Sequence, residues 1–503
     1  MRLAPRPAKS SCSSVDDGSG SADEGIKRLY ESSGSSPEEE GRVIPVLAHR
    51  RAPIAVECTR EDQLMMYFFR AQGSRNLGGA FDEGFWTGDL LRATMSHPII
   101  WHSCASLAAF HWRANANNGA MQSSSALRRL EIVGMTQYGN ALQCAADLAS
   151  KPYLRADEKQ VLLMANLVLT GINFLLGRPT EAMIHLGKGV KLFHEWHIIE
   201  HAFDDTSSDE VLPMTSLTTI ANRFFTQTYT YRDRSWPNIV SNGRRLLQDI
   251  RPFQSLTEAY FSLEDIYNRQ CFNWREEVTA AARSEPSPRP DLAYRARIEF
   301  EEWERRFVDF EAKNSTLGDD EEEAMLILRM RSKMMAITIT QDHSMSELAY
   351  DEFTARFGEV LDLAEAIIVH RSKTRDVTHT FSFSASVCEP LAFIVAKCRH
   401  SATRQRGREL LRRANLREGV YDSNETMCLV STIIDTEEAR LARPKDPSDV
   451  DCNCIQHIFL CNDHRISECS AAHGEDGTVA TVLKSVRDFR LGTPGVVIEL
   501  PVG

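Results

Sequence analysis

The chain has 503 residues, 42% hydrophobic and 25% charged, a composition typical of folded globular proteins and outside that of disordered or fibrous chains. Its 58 Lys and Arg are outnumbered by 70 Asp and Glu, and the net charge of −12 excludes coating of nucleic acid by bulk positive charge. At about 150 residues per domain, the length allows about three domains or one large core.

Twelve cysteines are spread through a long chain, which is not the pattern of a small disulfide scaffold. The amino terminus, MRLAPRPAKSSCSS, lacks the apolar segment of a secretory signal. The longest apolar run, Val161 to Leu176, is shorter than the about 20 residues that span a bilayer, and Asn166 and Asn173 interrupt it. The expectation is an intracellular, soluble, reduced protein with no membrane partner.

Residues 1–57 are rich in Ser, Gly, Pro, Asp and Glu and are expected to be disordered, because they offer too little apolar surface to offset chain ordering. A helical pattern starts at Leu64, Met65, Tyr67, Phe68 and Phe69, with Thr59 and Asp62 as candidate caps. His97 to Trp112 reads as a second apolar helix, with Pro98 in its first turn where no donor is lost. The clearest unit is an αα-hairpin over Asp157 to Trp196. Its first helix is apolar nearly all round, Gly177 ends it, Pro179 starts the next, and Met183, Leu186, Val190 and Phe193 line one face. No fixed-period repeat supports a solenoid.

Leu217 to Tyr231 and Leu256 to Phe272 are the next two helices, and the prolines of Ser284 to Pro290 mark a loop. Phe300, Trp303, Phe307 and Phe310 form one stripe, flanked by Glu301–Arg305 and Glu302–Arg306 at pairing distance. The acids of Asp319 to Glu323 open a helix over Ala324 to Thr340, favoured by the helix dipole. Phe353, Phe357, Leu361, Ala364 and Ile368 give another amphipathic helix, and strand-like alternation appears mainly at the end, in Cys452 to Leu460 and Gly495 to Leu500. The predicted fold is all-α, a large irregular multi-helix bundle of αα-hairpins, with a short β-rich C-terminal tail. Its divisions are a disordered 1–57, a helical 58–440 and a tail over 441–503.

Several segments, in this order, resemble the regulatory region of fungal zinc binuclear cluster (Zn₂Cys₆) transcription factors. They are QLMMYFFR (Gln63 to Arg70), AFDEGFWTGDLL (Ala80 to Leu91), HPIIWHSCASLAAFH (His97 to His111), QYGNALQCAADL (Gln137 to Leu148) and the hairpin FLLGRPTEAMIHLGKGVKLF (Phe174 to Phe193). Pro252 to Phe272, Glu347 to Ile368 and Pro390 to Ser423 continue the series, so the resemblance runs over roughly 60–500. It implies a nuclear transcriptional regulator of RNA polymerase II genes, often of one pathway or metabolite gene cluster. The implied partners are the transcription machinery or another regulator, with a possible homo- or hetero-dimer. The family's DNA-binding module needs six cysteines holding two zinc ions, yet only Cys12 and Cys58 precede residue 100. DNA is therefore expected as a partner only if that module lies upstream or is supplied by a partner chain. The alternative is a helical interaction protein that binds no DNA and pairs with a complete factor.

Three groups of side chains invite chemical readings. His197 to His201 (HIIEH) fits H-x-x-E-H, in which His197 and His201 would hold zinc and Glu200 would act as base; His194 lies one turn before. The expected reading is a histidine-rich helix end favoured by the dipole. Cys452, Cys454, Cys461, His464, Cys469 and His473 gather in the tail, where four would have to converge on a tetrahedral ion. C-x-C is not the usual knuckle spacing, and apolar packing of thiols in a terminal hairpin is expected instead. Lys397, Arg399, His400, Arg404, Arg406, Arg408, Arg412, Arg413 and Arg417 form one basic stretch that could contact phosphates. Leu410, Leu411 and Leu416 between them, and the lack of aromatics, favour an amphipathic helix whose charges are solvated or paired with acids. No nucleophile elbow, phosphate loop or dinucleotide fingerprint is present. The chain is expected not to be an enzyme, with no catalytic, cofactor-binding or metal residues assigned, no cofactor, and no DNA-contacting residue identified.

Overall fold

The computed structural model describes residues 56–81, 84–118, 124–196, 214–227, 251–282, 290–314, 318–340, 346–374, 380–441, 452–455, 458–473 and 479–498. The amino-terminal segment expected to be disordered lies almost wholly outside them. Helix α1 (Arg60–Phe68) starts on a capping box: the Thr59 hydroxyl accepts from the Asp62 amide at 3.2 Å, and the Asp62 carboxylate accepts from the Thr59 amide at 2.9 Å. The helix continues through a wide π turn, Phe69–Gly73, into α2 (Ser74–Gly78). A second wide turn, Gly84–Asp89, leads into α3 (Leu90–Thr94) and buries Phe85 and Trp86.

Helices α4 (Pro98–Asn118), α5 (Ser124–Ala149), α6 (Ala156–Leu175) and α7 (Pro179–Glu195) then pack in sequence, α4 lying against both α5 and α6. Almost every residue of α6 from Glu158 to Phe174 is buried, as its all-round apolar sequence requires. Gly177 takes φ +64° just past its end, a conformation that a side chain would strain. In α7, Met183, Leu186, Val190 and Phe193 are buried together. Helix α8 (Met214–Gln227) closes this first core with Leu217, Ile220, Ala221 and Phe224.

A second core is built from α9 (Leu256–Ala282), α10 (Pro290–Lys313), α11 (Asp319–Thr340), a 3₁₀ segment Glu347–Phe353 running into α12 (Thr354–Thr374), α13 (Cys388–Lys397), α14 (Ser401–Ala414) and α15 (Ser423–Leu441). The aromatic stripe of α10 points inward: Phe300, Trp303 and Phe307 are buried and Phe310 partly so. Its flanking charges pair differently from the expected spacing. Arg305 bonds Glu302 at 2.6 Å and Asp309 at 3.2 Å, while Glu301 pairs with Arg297 at 3.1 Å. Arg306 sits on the buried flank and lays its guanidinium over the Phe253 ring at 3.9 Å, so it is not available to Glu302.

The two cores exchange aromatics. Phe81, from the first half of the chain, stacks on Tyr260 of α9 at 3.8 Å between centroids. In return Phe381 and Phe383 enter the first core, where Phe383 stacks on Trp86 at 4.5 Å and lies 5.0 Å from Phe224. They are delivered by a small sheet in which β1 (Thr380–Ser382) pairs in parallel with β2 (Leu416–Glu418) and β2 pairs antiparallel with β3 (Tyr421–Asp422).

The tail forms an antiparallel sheet in the order β4 (Ile466–His473), β5 (Val479–Ser485), β6 (Val496–Ile498), with α16 (Val486–Leu491) after β5. The alternating segment Cys452 to Leu460 forms no strand among its described residues, 452–455 and 458–460. Its described residues make only an isolated bridge, Ile455 to Phe459, closing a tight turn. The second expected strand contains β6. Strands β4 and β5 were not expected, since the small residues of ISECSAAH give no apolar alternation to read. Among the described residues, no helix is long and apolar enough to cross a membrane.

Candidate functional sites

The two asparagines that interrupt the apolar run of α6 join it to its neighbours. The Asn173 amide donates to the Tyr138 oxygen on α5 at 3.0 Å and to the Leu169 carbonyl at 2.8 Å. That leaves the Tyr138 hydroxyl proton for His185 Nε2 on α7, 2.9 Å away, and burial holds His185 below its ordinary pKa, in the neutral form that accepts. Asn166 donates to the His185 carbonyl at 2.8 Å. A second buried chain runs from His102 through Gln137 to Asp62, at 2.6 and 2.7 Å, tying α4 and α5 to the cap of α1. His111 differs from these: neither ring nitrogen has a hydrogen-bond partner, and burial lowers its pKa to about 4. These groups fix helices against one another.

Seven of the nine residues of the basic stretch pair with acids within the fold; His400 and Arg408 are the other two. Arg399 reaches Glu347 at 3.0 Å and Glu437 at 2.8 Å, Arg404 reaches Glu437 at 2.6 Å, and Lys397 reaches Glu347 at 2.6 Å. On the outer face Arg406 pairs with Asp362 and Glu365, Arg413 with Glu365, and Arg412 with Glu409. Arg417 lies between Asp422 and Glu425 and donates to the Phe174 carbonyl at 2.7 Å, joining the two cores. His400 bonds Thr403, and Leu410 and Leu411 are buried. This is the paired amphipathic helix, and it leaves little unpaired charge for a phosphate backbone.

In the tail, four of the six ligand-type side chains converge. Cys452, Cys454, Cys461 and His464 place their ligand atoms within 4.8 Å of one another. The three sulfurs lie 3.6, 3.3 and 3.4 Å from the same imidazole nitrogen, His464 Nδ1. Cys469, on β4, is not among them, and the side chain of His473 lies outside the described ones. The extended backbone at Cys452 and Cys454 leads into the Ile455–Phe459 turn, which reverses the chain and returns Cys461 to the pair. Cys461 and His464 bracket a single 3₁₀ turn, Asn462–His464, so two residues between them suffice. The alternation in Cys452 to Leu460 concealed this reversal. The usable signal was the Cys461–His464 spacing at the far end.

The next residue anchors the cluster. Arg465 is 1% exposed; it bonds both Asp351 carboxylate oxygens at 2.7 Å, the Glu347 carbonyl at 2.9 Å and the Leu460 carbonyl at 2.9 Å. Asn462 accepts the Glu347 amide at 2.8 Å, capping the 3₁₀ segment of the helical body. The HIIEH residues His197, Glu200 and His201 lie outside the described residues; His194 is in the last turn of α7.

Comparison with known proteins gives one family. Residues 80–238 match the fungal specific transcription factor domain, which is a transcription factor domain and not an enzyme family. The segments at Gln63 to Arg70, Pro252 to Phe272, Glu347 to Ile368 and Pro390 to Ser423 lie outside the matched part. No curated protein and no solved structure matches the chain.

Proposed function

On the premise that residues 80–238 form a fungal specific transcription factor domain, we propose that the chain is a nuclear transcriptional regulator acting through protein contacts of its helical body. The proposed targets are RNA polymerase II genes of one pathway or metabolite cluster. The proposed partners are the transcription machinery or another regulator, including a second copy of the chain. In this reading 58–440 is the regulatory domain and 441–503 a tail docked on it. The match over the α3 to α8 region carries the reading. The helical bundle supports it, since such bundles present large surfaces for other proteins.

The test is to tether the full chain to a heterologous DNA-binding module in fungal cells and follow a reporter. A change in transcription in either direction is expected; no change with both a silent and an active reporter would sink the reading. A second reading, an interaction protein that binds no DNA itself, is favoured by the largely paired basic stretch and the net charge of −12. It predicts that the purified chain shifts no genomic DNA at moderate salt. Sequence-specific binding by the chain alone would remove it.

A further inference from the structure

We propose that Cys452, Cys454, Cys461 and His464 bind one Zn²⁺ as a structural site, and that the ion fastens the tail to the helical body. The inference is independent of the role in transcription. Its first support is geometric. A tetrahedral zinc with bonds of about 2.3 Å to sulfur and about 2.0 Å to nitrogen sets each sulfur about 3.5 Å from the bound nitrogen. The observed separations are 3.6, 3.3 and 3.4 Å.

The second support is valence. A neutral imidazole nitrogen carries one proton or one lone pair, so it can serve only one of three sulfurs, whereas a central cation is shared by all four groups. Three thiolates and one imidazole are soft and borderline ligands that select zinc over magnesium or calcium, and four of them leave no open position for catalysis. Binding releases the thiol protons, and the Cys461 amide, 3.1 Å from Cys454 Sγ, donates to the thiolate that remains. None of the three cysteines is in a disulfide.

The third support is the poverty of the tail's own core. Its buried apolar cluster is Ile433, Ile466 and Leu483, of which only two belong to the tail, and Ile455 and Ile458 of the turn are exposed. A unit of this size with so small a core needs a staple. The ion would supply it where it matters, because Asn462 lies between two ligands and Arg465 follows the last. Both grip the 3₁₀ segment that carries Glu347 and Asp351.

The full chain, purified under reducing conditions without chelator, should contain one zinc per molecule by elemental analysis. Cys461→Ser and His464→Ala should lose it, His464→Cys should keep it, and Cys469→Ser should be unaffected. Should the variants fail to fold, cobalt loading of the unaltered chain reads the site directly, by the intense visible bands of tetrahedral coordination and thiolate-to-metal charge transfer. Docking is read by hydrogen exchange, which should quicken at 347–353 when zinc is stripped and recover when it is restored. The site is overturned by a metal-free native chain that takes up no zinc, by a weak octahedral cobalt spectrum, by a native disulfide among the three cysteines, or by full zinc content in both Cys461→Ser and His464→Ala. Unchanged exchange at 347–353 overturns the docking role.

Discussion

The two halves of the helical body close their interiors by different means. The first half, α1 to α8, is sealed mainly by apolar and aromatic packing, and two acids it buries, Asp62 and Glu158, serve at helix starts. The second half buries charge. Glu264 meets Arg331, Glu299 meets Arg269, Glu323 meets Arg371, and Glu437 sits between Arg399 and Arg404. Glu418 points into the start of α13 and accepts the amides of Ser386 and Cys388 at 2.9 and 3.0 Å. The family match covers part of the first half and stops before the second. A composition with 25% charged residues therefore does not mean a uniformly charged surface. Much of the charge in the second half orients helices from within, where one missing partner is costly.

That contrast is broken most sharply at Glu437, which is 1% exposed and also accepts the Ile466 amide at 2.8 Å. Glu437→Ala takes the carboxylate from buried Arg404 and one of two carboxylates from Arg399, and is expected to cost about 3–5 kcal/mol in urea unfolding. A loss under about 1 kcal/mol would show that water or another acid reaches these arginines, and the charged interior would cease to be a distinguishing feature.

Acid should weaken the two halves in order. The pKa of His111, in the first core, is about 4 against an ordinary 6.5, so the unfolded chain takes up its proton first as the pH falls. Its contribution is complete above pH 6.5 and is lost on the way down to about 4, at about 1.4 kcal/mol per pH unit. The arginines beside Glu437 outweigh the effect of its burial and hold its carboxyl below 4.5, so that contribution is lost only as the pH falls below this value. His111→Phe should flatten the stability profile between pH 6.5 and 4, and an unchanged slope there would place the acid sensitivity elsewhere.

Much of the first half was legible in the sequence because its signals are local. Thr59 with Asp62, Gly177 and Pro179 mark helix ends by their own backbone chemistry, and the apolar run of α6 declares its burial. The second half was legible as helices but not as a charge network. Glu437 and Arg399 are distant in sequence, and no periodicity reveals which basic residues turn inward. The tail misled for a related reason. Alternation in Cys452 to Leu460 is what a strand shows, but two cysteines and a turn that meets a histidine give the same pattern. The exchange of Phe81 for Phe381 and Phe383 is likewise set by topology and leaves no local trace.

At that exchange the apolar closure can be tested by adding volume. A Cβ built on Gly171 would stand 1.9 Å from the Phe383 ring, so glycine is required for α6 to receive it. Gly171→Ala is expected to cost about 1–3 kcal/mol through forced repacking. Phe383→Leu should recover part of that loss in the double variant although it is destabilising alone, a non-additivity that a double-mutant cycle measures. Additive losses would mean that the ring has room to move aside.

The smallest expected effect comes from an ion pair of the second half outside its interior. Lys333 and Glu359 join α11 to α12 with side chains 46% and 53% exposed. Water already solvates both groups and salt screens them, so Glu359→Ala should cost under about 1 kcal/mol, less still at high ionic strength. Glu437→Ala should keep most of its larger loss in salt, because its partners are buried. Equal losses at the two sites would contradict the explanation, since both variants remove a glutamate that bridges helices through basic partners. Only the depth of the site separates them.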